Sequence, residues 1–417
     1  MTRLYREQDL ALNGGKPSHA KPWQTGPFHH PDEVEALGKL LCGPALPMAR
    51  GPAVMAYRQQ LQEAYGMPYA VPVSSGSAAI HVALSAVGVR AGDEVIVSPL
   101  TDYGSIIGIL QLNAIPVFAD VQPDSLLMDI ESICACITPH TTAIMPVHNG
   151  GYAVDMPALM KRARARNLAV VEDCAQAHLA TLRGRFLGTF GDVGAWSTNE
   201  SKHMKSGEGG FLLTRDRKLA ETADLFADKC YPRFPGAPPT PAFPALNVRL
   251  NEVNATLAAV QLRHLPKWIA RRQAFAAAFH EAIAGIPGLA AMHQPRGAQP
   301  SYWWVCFAVD SEVLGVDAVR LCALLNAEGI PAGARLQQYV PGWEVFRRLH
   351  EDPLAFGSYR PGRLAVGRYP LDVAPRAQAA GARLGGVRIT QHNTPAEARA
   401  AGRALGKIVS VLLGRRV

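Results

Sequence analysis

A lysine set beside glycines at the start of an apolar run is unlike the solvated lysines of an ordinary surface. Lys202 stands between Ser201 and the turn Ser206-Gly-Glu-Gly-Gly210, directly before a run that reads as a strand. Packed there, the amine loses hydration, which favours the neutral nucleophile that Schiff-base chemistry uses. A second reactive segment is Val170-Val-Glu-Asp-Cys-Ala-Gln-Ala-His178, in which Asp173 falls at the end of an apolar run. Both segments put reactive groups at expected strand ends, where open α/β sheets keep their ligand crevice. A third is Ser74-Ser-Gly-Ser77, after which Ala79, Val82, Ala83 and Ala86 follow helical spacing. Backbone N–H groups at that helix start, with the helix dipole behind them and a glycine permitting close approach, make an anion site.

The elements that must hold these groups are legible as alternating patterns. Short runs rich in Val and Ile occur at 70–74, 94–98, 115–119, 142–148, 168–173 and 210–214. Such near-continuous apolar runs predict strands covered on both faces, as in the mostly parallel central sheet of an α/β domain with helices on either side. Residues 251–284 read as one long helix, 301–309 as a strand, 316–328 as a helix and 395–413 as a final helix. The resulting organisation is an N-terminal arm over 1–40, a large α/β domain over 41–284 and a small C-terminal α+β domain over 285–417. Six prolines within 232–244 exclude regular structure there and make it a linker or an ordered loop near a site.

Composition narrows the class. A chain of 417 residues has room for two or three domains. Its 48% apolar and 18% charged content is ordinary globular usage. No run of about 18 apolar residues is present, so no membrane partner is expected. The stretch 3–9 is polar and lacks a secretory core, which predicts a cytoplasmic protein. Seven scattered cysteines predict structural thiols and no disulfide framework, and Cys134-Ala-Cys136 lacks zinc-site spacing, so no metal is expected. Forty-two basic against 34 acidic residues leave +8, spread over short clusters at 161–166, 271–272 and 415–416. These read as solvated helix faces; a specific nucleic-acid partner is not expected, and a phosphorylated small substrate is compatible.

Several motifs in register then carry a resemblance. VEDCAQAH, GTFGDVGAWS, SKHMKSGEGGFLLT and LNVRLNEVNATLAAVQL, in that order, resemble the DegT/DnrJ/EryC1/StrS family of PLP-dependent sugar aminotransferases, which have the fold-type-I aminotransferase architecture. Upstream, SSGSAAIHVAL, AGDEVIVSP and VHNGGYAVDMPAL match in order and approximate spacing, so the likeness covers about 10–270 well and the remainder loosely. It implies pyridoxal 5′-phosphate (PLP) bound covalently to Lys202 as an internal aldimine, with Asp173 paired to the ring nitrogen so that the ring serves as an electron sink. It further places Gln176 at the phenolic oxygen, Ala175 on one ring face, and Gly76, Ser77, Ala78 and Ser197 around the phosphate. Asn247 would reach the partner's phosphate, which implies a homodimer with shared active sites. His178 is open between a site role and a structural one.

What the resemblance implies for activity is transfer of an amino group from an amino acid, glutamate or glutamine, to a keto-sugar, a nucleotide-linked keto-sugar or a keto-cyclitol. Dehydrating relatives carry His where Lys202 stands, and a lysine there can move the proton that transamination requires. The alternatives are another PLP-dependent sugar reaction, dehydration or epimerisation, and a catalytically idle PLP-binding regulator. Arg249 and Lys205 are candidates for a phosphate or the donor carboxylate. One departure stands out: the family's aromatic position after Thr101 holds Asp102, and a carboxylate has no π-face to stack. Either Tyr103 supplies the ring after a local shift, or Asp102 contacts a substrate amine or hydroxyl. Pro300 stands where relatives often have His before Ser-Tyr. Substrate choice is expected in the loops 232–244 and 337–343.

Overall fold

Strands whose side chains are all apolar must be covered twice, and the computed structural model shows how. It describes residues 5–23, 29–44, 46–47, 49–231, 233–236, 240–334, 339–357, 359 and 368–414. Seven strands form one sheet in the order Tyr69–Val73, Gly210–Thr214, Val193–Ser197, Ala169–Asp173, Thr141–Met145, Glu94–Val97 and Ile115–Phe118. The last five run parallel, and Gly210–Thr214 alone is reversed, antiparallel to both of its neighbours. Six of the seven were legible as Val- and Ile-rich runs. Val193–Ser197 was not, because Gly194 and Ala195 dilute its apolar signal. The glycine is nevertheless required, since a Cβ there would lie 2.3 Å from the carbonyl oxygen of Gly188.

Helices cover both faces. Gly76–Ala86 follows the first strand and packs against Tyr103–Leu110 and Arg217–Ala227. Glu252–Ile283 is a single helix of 32 residues whose N-cap, Asn251, accepts from Asn254 N at 2.9 Å. Such a cap satisfies one of the first-turn donors. Leu265, Phe275 and Phe279 on this helix are fully buried, and Pro395–Leu413 packs along it. The C-terminal part builds an antiparallel sheet in the order Leu289–Ala291, Trp304–Val309, Leu384–Arg388 and Ala332–Ala334. The strand expected from 301 begins at Trp304, because Tyr302 takes φ +50°, which no strand residue adopts.

Two excursions tie the chain together. The arm lies on the C-terminal layer, where the buried Glu328 carboxylate accepts from Ala11 N at 2.9 Å and from Ser18 N and Oγ at 2.8 and 2.7 Å. The described residues 339–357, 359 and 368–373 return to the large sheet. Val340 N donates to Pro99 O, Tyr359 and Tyr369 hydroxyls to the carbonyls of Ala114 and Pro116, and Phe346 and Tyr369 pack on Phe118. The expected loops 232–244 and 337–343 lie outside the described residues at 232, 237–239 and 337–338, as do 415 and 416. Among the described residues, no helix is long and apolar enough to cross a membrane.

Candidate active site

Asp173 is the last residue of its strand, and its side chain is buried. Ser105 Oγ donates to Oδ2 at 2.6 Å and Ala175 N to Oδ1 at 3.0 Å, while Ser105 also bonds Thr101 Oγ1 at 2.6 Å. Burial pushes the Asp173 pKa up, and those two donors together with the Lys202 charge pull against it. Lys202 stands in the loop between Val193–Ser197 and Gly210–Thr214. That loop is fixed by Thr198 N to Gly209 O at 2.8 Å, Ser206 N to Thr198 O at 2.8 Å and a Thr198–Ser206 hydroxyl pair at 2.7 Å. Gly209, at φ +154°, could not carry a side chain, since its Cβ would meet Thr198 Oγ1 at 2.4 Å. Lys202 Nζ lies 5.0 Å from the centre of the Trp303 ring. Its pKa is lowered by burial, against the opposing pull of Asp102 and Asp173.

One cavity of about 550 Å³ collects most of the residues singled out in the sequence: Gly76, Ser77, Asp102, Asp173, Ala175, Gln176, Ser197 and Lys202. Gly76 and Ser77 open the helix Gly76–Ala86, so their N–H groups have no acceptor within it. Gly76 is tight against the last residue of a strand; a Cβ would fall 2.5 Å from Ser197 Cβ. Gln176 accepts from Gly150 N at 2.7 Å through Oε1, which leaves its NH₂ group for the cavity.

Three expectations need correction. Ala78 is not among the residues lining the cavity, and its N–H is already taken by the N-cap hydroxyl of Ser75 at 3.1 Å. Tyr103 supplies no ring: it begins the helix Tyr103–Leu110 and packs on Trp343, 5.8 Å between ring centres. Asp102 faces the cavity instead and caps that helix, its Oδ1 accepting from Gly104 N at 2.8 Å. Arg249 is turned away and bonded to Asp228. Asn247 is exposed and off this chain's cavity, its backbone bridged to Asp228. His178 is sealed between His203 and Phe211, and burial lowers its pKa to about 3, so it is neutral and structural.

The cavity also contains residues that the sequence reading passed over: Thr101, Ser105, His148, Asn199 and Trp303 among them. His148 is fully buried, receives Val154 N on Nδ1 at 3.2 Å and therefore donates from Nε2 to Glu172 at 3.0 Å. Glu172 in turn accepts from the N–H groups of Gly188, Phe190 and Gly191 at 2.7, 2.7 and 2.6 Å, so this carboxylate braces the sheet end. Ser105 had a local signal in its four-residue spacing from Thr101; Trp303 had none, since it reaches the cavity from the other end of the chain.

Sheet order, strand-end carboxylate and hairpin lysine define a fold-type-I, PLP-dependent enzyme. The aminotransferase from Psychrobacter cryohalolentis has the same fold, with TM-score 0.78 at 29% identity over 92% of this chain and 98% of that one. DesV of S. venezuelae, solved in complex with a ketimine intermediate, gives TM-score 0.75 at 28% identity over 89% and 93%. In sequence, the L-glutamine:2-deoxy-scyllo-inosose aminotransferase of Streptomyces kanamyceticus is 34% identical over 345 residues, 77% of this chain and 79% of that relative. Residues 30–352 match the model of the DegT/DnrJ/EryC1/StrS aminotransferase family, and the chain belongs to that family. It is a PLP-dependent aminotransferase, as its motifs predicted.

Proposed function

We propose that the chain transfers the amino group of glutamine or glutamate to a keto-cyclitol or keto-sugar, with Lys202 as the amine that holds the coenzyme and moves the proton. The observation that carries this reading is the meeting, in one cavity, of a lysine kept toward neutrality, a buried carboxylate and an anion cradle. The donor and acceptor follow the relative from Streptomyces kanamyceticus.

These residues suit PLP by their chemistry. Open N–H groups of Gly76 and Ser77, with the Ser197 hydroxyl against a glycine that leaves no room for a Cβ, suit a phosphate dianion. Asp173 suits a pyridine nitrogen that must stay protonated, Gln176 offers an NH₂ to a phenolic oxygen, and the small Ala175 leaves space over a flat ring. When bound, the coenzyme supplies an aldehyde carbon and an electron-withdrawing ring. Lys202, its pKa lowered by burial, takes a proton from the donor's α-carbon and delivers it within the cavity, returning to its hold when nitrogen has passed on. Asp102, at the place of the missing aromatic, meets a hydroxyl or amine of the acceptor. Asn247 completes the phosphate site of a partner subunit, so the working form is a homodimer.

Borohydride reduction of the loaded protein tests the central assignment. The coenzyme mass should be fixed on the peptide containing Lys202; a label on any other side chain sinks it. Nitrogen from ¹⁵N-labelled glutamine should appear in the ring product, whereas dehydration or epimerisation leaves it unlabelled. An idle regulator would show no change in coenzyme absorbance on adding glutamine or glutamate.

A further inference from the structure

Between the arm, the long helix and the start of the last helix lies a cavity of about 1020 Å³ that shares no lining residue with the coenzyme cavity. A space of that size is at the large end for a small-molecule site. Three cations from three elements line it: Lys21 of the arm, Arg271 of Glu252–Ile283 and Arg403 of Pro395–Leu413. None of the three has an ion-pair partner among the described residues. Glu397, the one carboxylate in the lining among those residues, is spent on its own helix start. It accepts from Thr394 N and Oγ1 at 2.7 and 3.0 Å and from Asn393 Nδ2 at 3.4 Å. Exposed cations alone would be a solvated surface; Gln391 makes this a site. It is 2% exposed, yet neither atom of its amide has a hydrogen-bond partner among the described residues, and neither is sealed from open space. A buried polar group left without partners costs about 1–3 kcal/mol, so this amide faces the cavity in want of a polar ligand. Ala396 N–H adds a donor in the first turn of the 19-residue helix, where Pro395 has no N–H and the Thr394 hydroxyl takes that of Glu397 at 3.4 Å. The helix dipole there favours an anion.

We propose that this cavity binds a phosphorylated polyol, a sugar or cyclitol phosphate, with its phosphate among Lys21, Arg271 and Arg403 and a ring hydroxyl on Gln391. Charge selects the anion: three cations against one engaged carboxylate suit a phosphate dianion. The amide selects the rest, because a hydroxyl matches both its ends, whereas phosphate ester oxygens satisfy its NH₂ alone. Since the cations come from three separate elements, the ligand also fastens the arm to the body of the molecule. The site stands apart from amino transfer, as none of its residues lines the coenzyme cavity.

Calorimetric titration of the holoenzyme is the test, because the loaded coenzyme already fills the cradle at Gly76 and closes that phosphate site to the probe. Glucose 1-phosphate should bind saturably. Arg271→Gln and Arg403→Gln should each weaken it by about 10-fold or more, the worth of a hydrogen bond to a charged group. Gln391→Leu, similar in size but without the amide, should weaken glucose 1-phosphate by about 3- to 10-fold and leave inorganic phosphate unchanged. Bound glucose 1-phosphate should also slow cleavage by proteinase K within residues 18–23, and Arg403→Gln should remove that protection. Coenzyme absorbance should be the same in all three variants. Absence of saturable binding, or binding that both arginine variants retain in full, overturns the proposal. Inorganic phosphate binding as tightly as the ester, with Gln391→Leu affecting neither, overturns the assignment of the polyol.

Discussion

Ser105 illustrates how much of this site depends on single contacts. Its hydroxyl is one of two donors to a carboxylate that burial alone would drive toward the neutral acid. A donor to the charged form lowers a carboxyl pKa, so Ser105→Ala raises that of Asp173. The acid limb of the rate profile should move up by about 1 to 2 pH units, given the worth of a hydrogen bond to a charged group. An unmoved limb would show that Asp173 does not set it. His178 gives the complementary expectation. Its folded pKa, about 3, lies below the ordinary imidazole value, so the folded state binds fewer protons as acid is added. The stability it allows at neutrality is lost as pH falls from 6.5 toward 3, at up to about 1.4 kcal/mol per unit. His178→Leu should flatten that slope in denaturant titrations at pH 7, 5 and 4 while leaving the rate profile near neutrality without a new step.

At the scale of elements, the arm is held by a buried carboxylate as well as by Leu10 in the core and Trp23 packed against it. Glu328 accepts from Ala11, Ser18 and both ways from Lys407, at 2.9 Å from each oxygen. Burial pushes its pKa up, but the donors outweigh this and the net shift is downward. Its contribution is therefore present at neutral pH and lost as acid titrates the folded carboxylate. Glu328→Gln leaves the Lys407 ammonium buried beside a neutral amide, at a cost of about 3–5 kcal/mol. Limited proteolysis should then cut within residues 5–23 far faster than in the wild type; equal rates would show that other contacts hold the arm. The reversed strand Gly210–Thr214 matters in the same way: its antiparallel pairing makes a hairpin, and the hairpin loop aims Lys202 at the ends of the parallel strands.

For the whole molecule, the exposed Asn247 and the proposed shared site make assembly part of function. Lys202→Ala and Asn247→Asp chains should each be impaired alone, the first for want of the amine and the second by repulsion of a partner's phosphate. Dissociated and reassembled together at random, they should recover about a quarter of the wild-type sites, because half the dimers then hold one intact site. No recovery would mean that each chain works by itself.

Much was legible before any fold was drawn. Lys202, Asp173 and the Ser-Gly-Ser turn are fixed by their spacing to strand and helix boundaries, which are local properties of the chain. Six sheet strands announced themselves by apolar runs, and the long helix by its Ala-rich and Arg-rich helical stretch. What the chain could not reveal was anything that depends on distant segments meeting. Ser105 reaches Asp173 across 68 residues, and Arg272 meets Tyr302 and Ile389 across 30 and 117. Val193–Ser197 is a strand because two neighbours pair with it, and Tyr103 packs on Trp343 while Asp102 caps the helix. Sequence therefore determined the reactive groups and the elements carrying them. Tertiary structure alone decided their protonation and their buried partners, because desolvation and hydrogen bonding are properties of what packs around a residue and not of what precedes it in the chain.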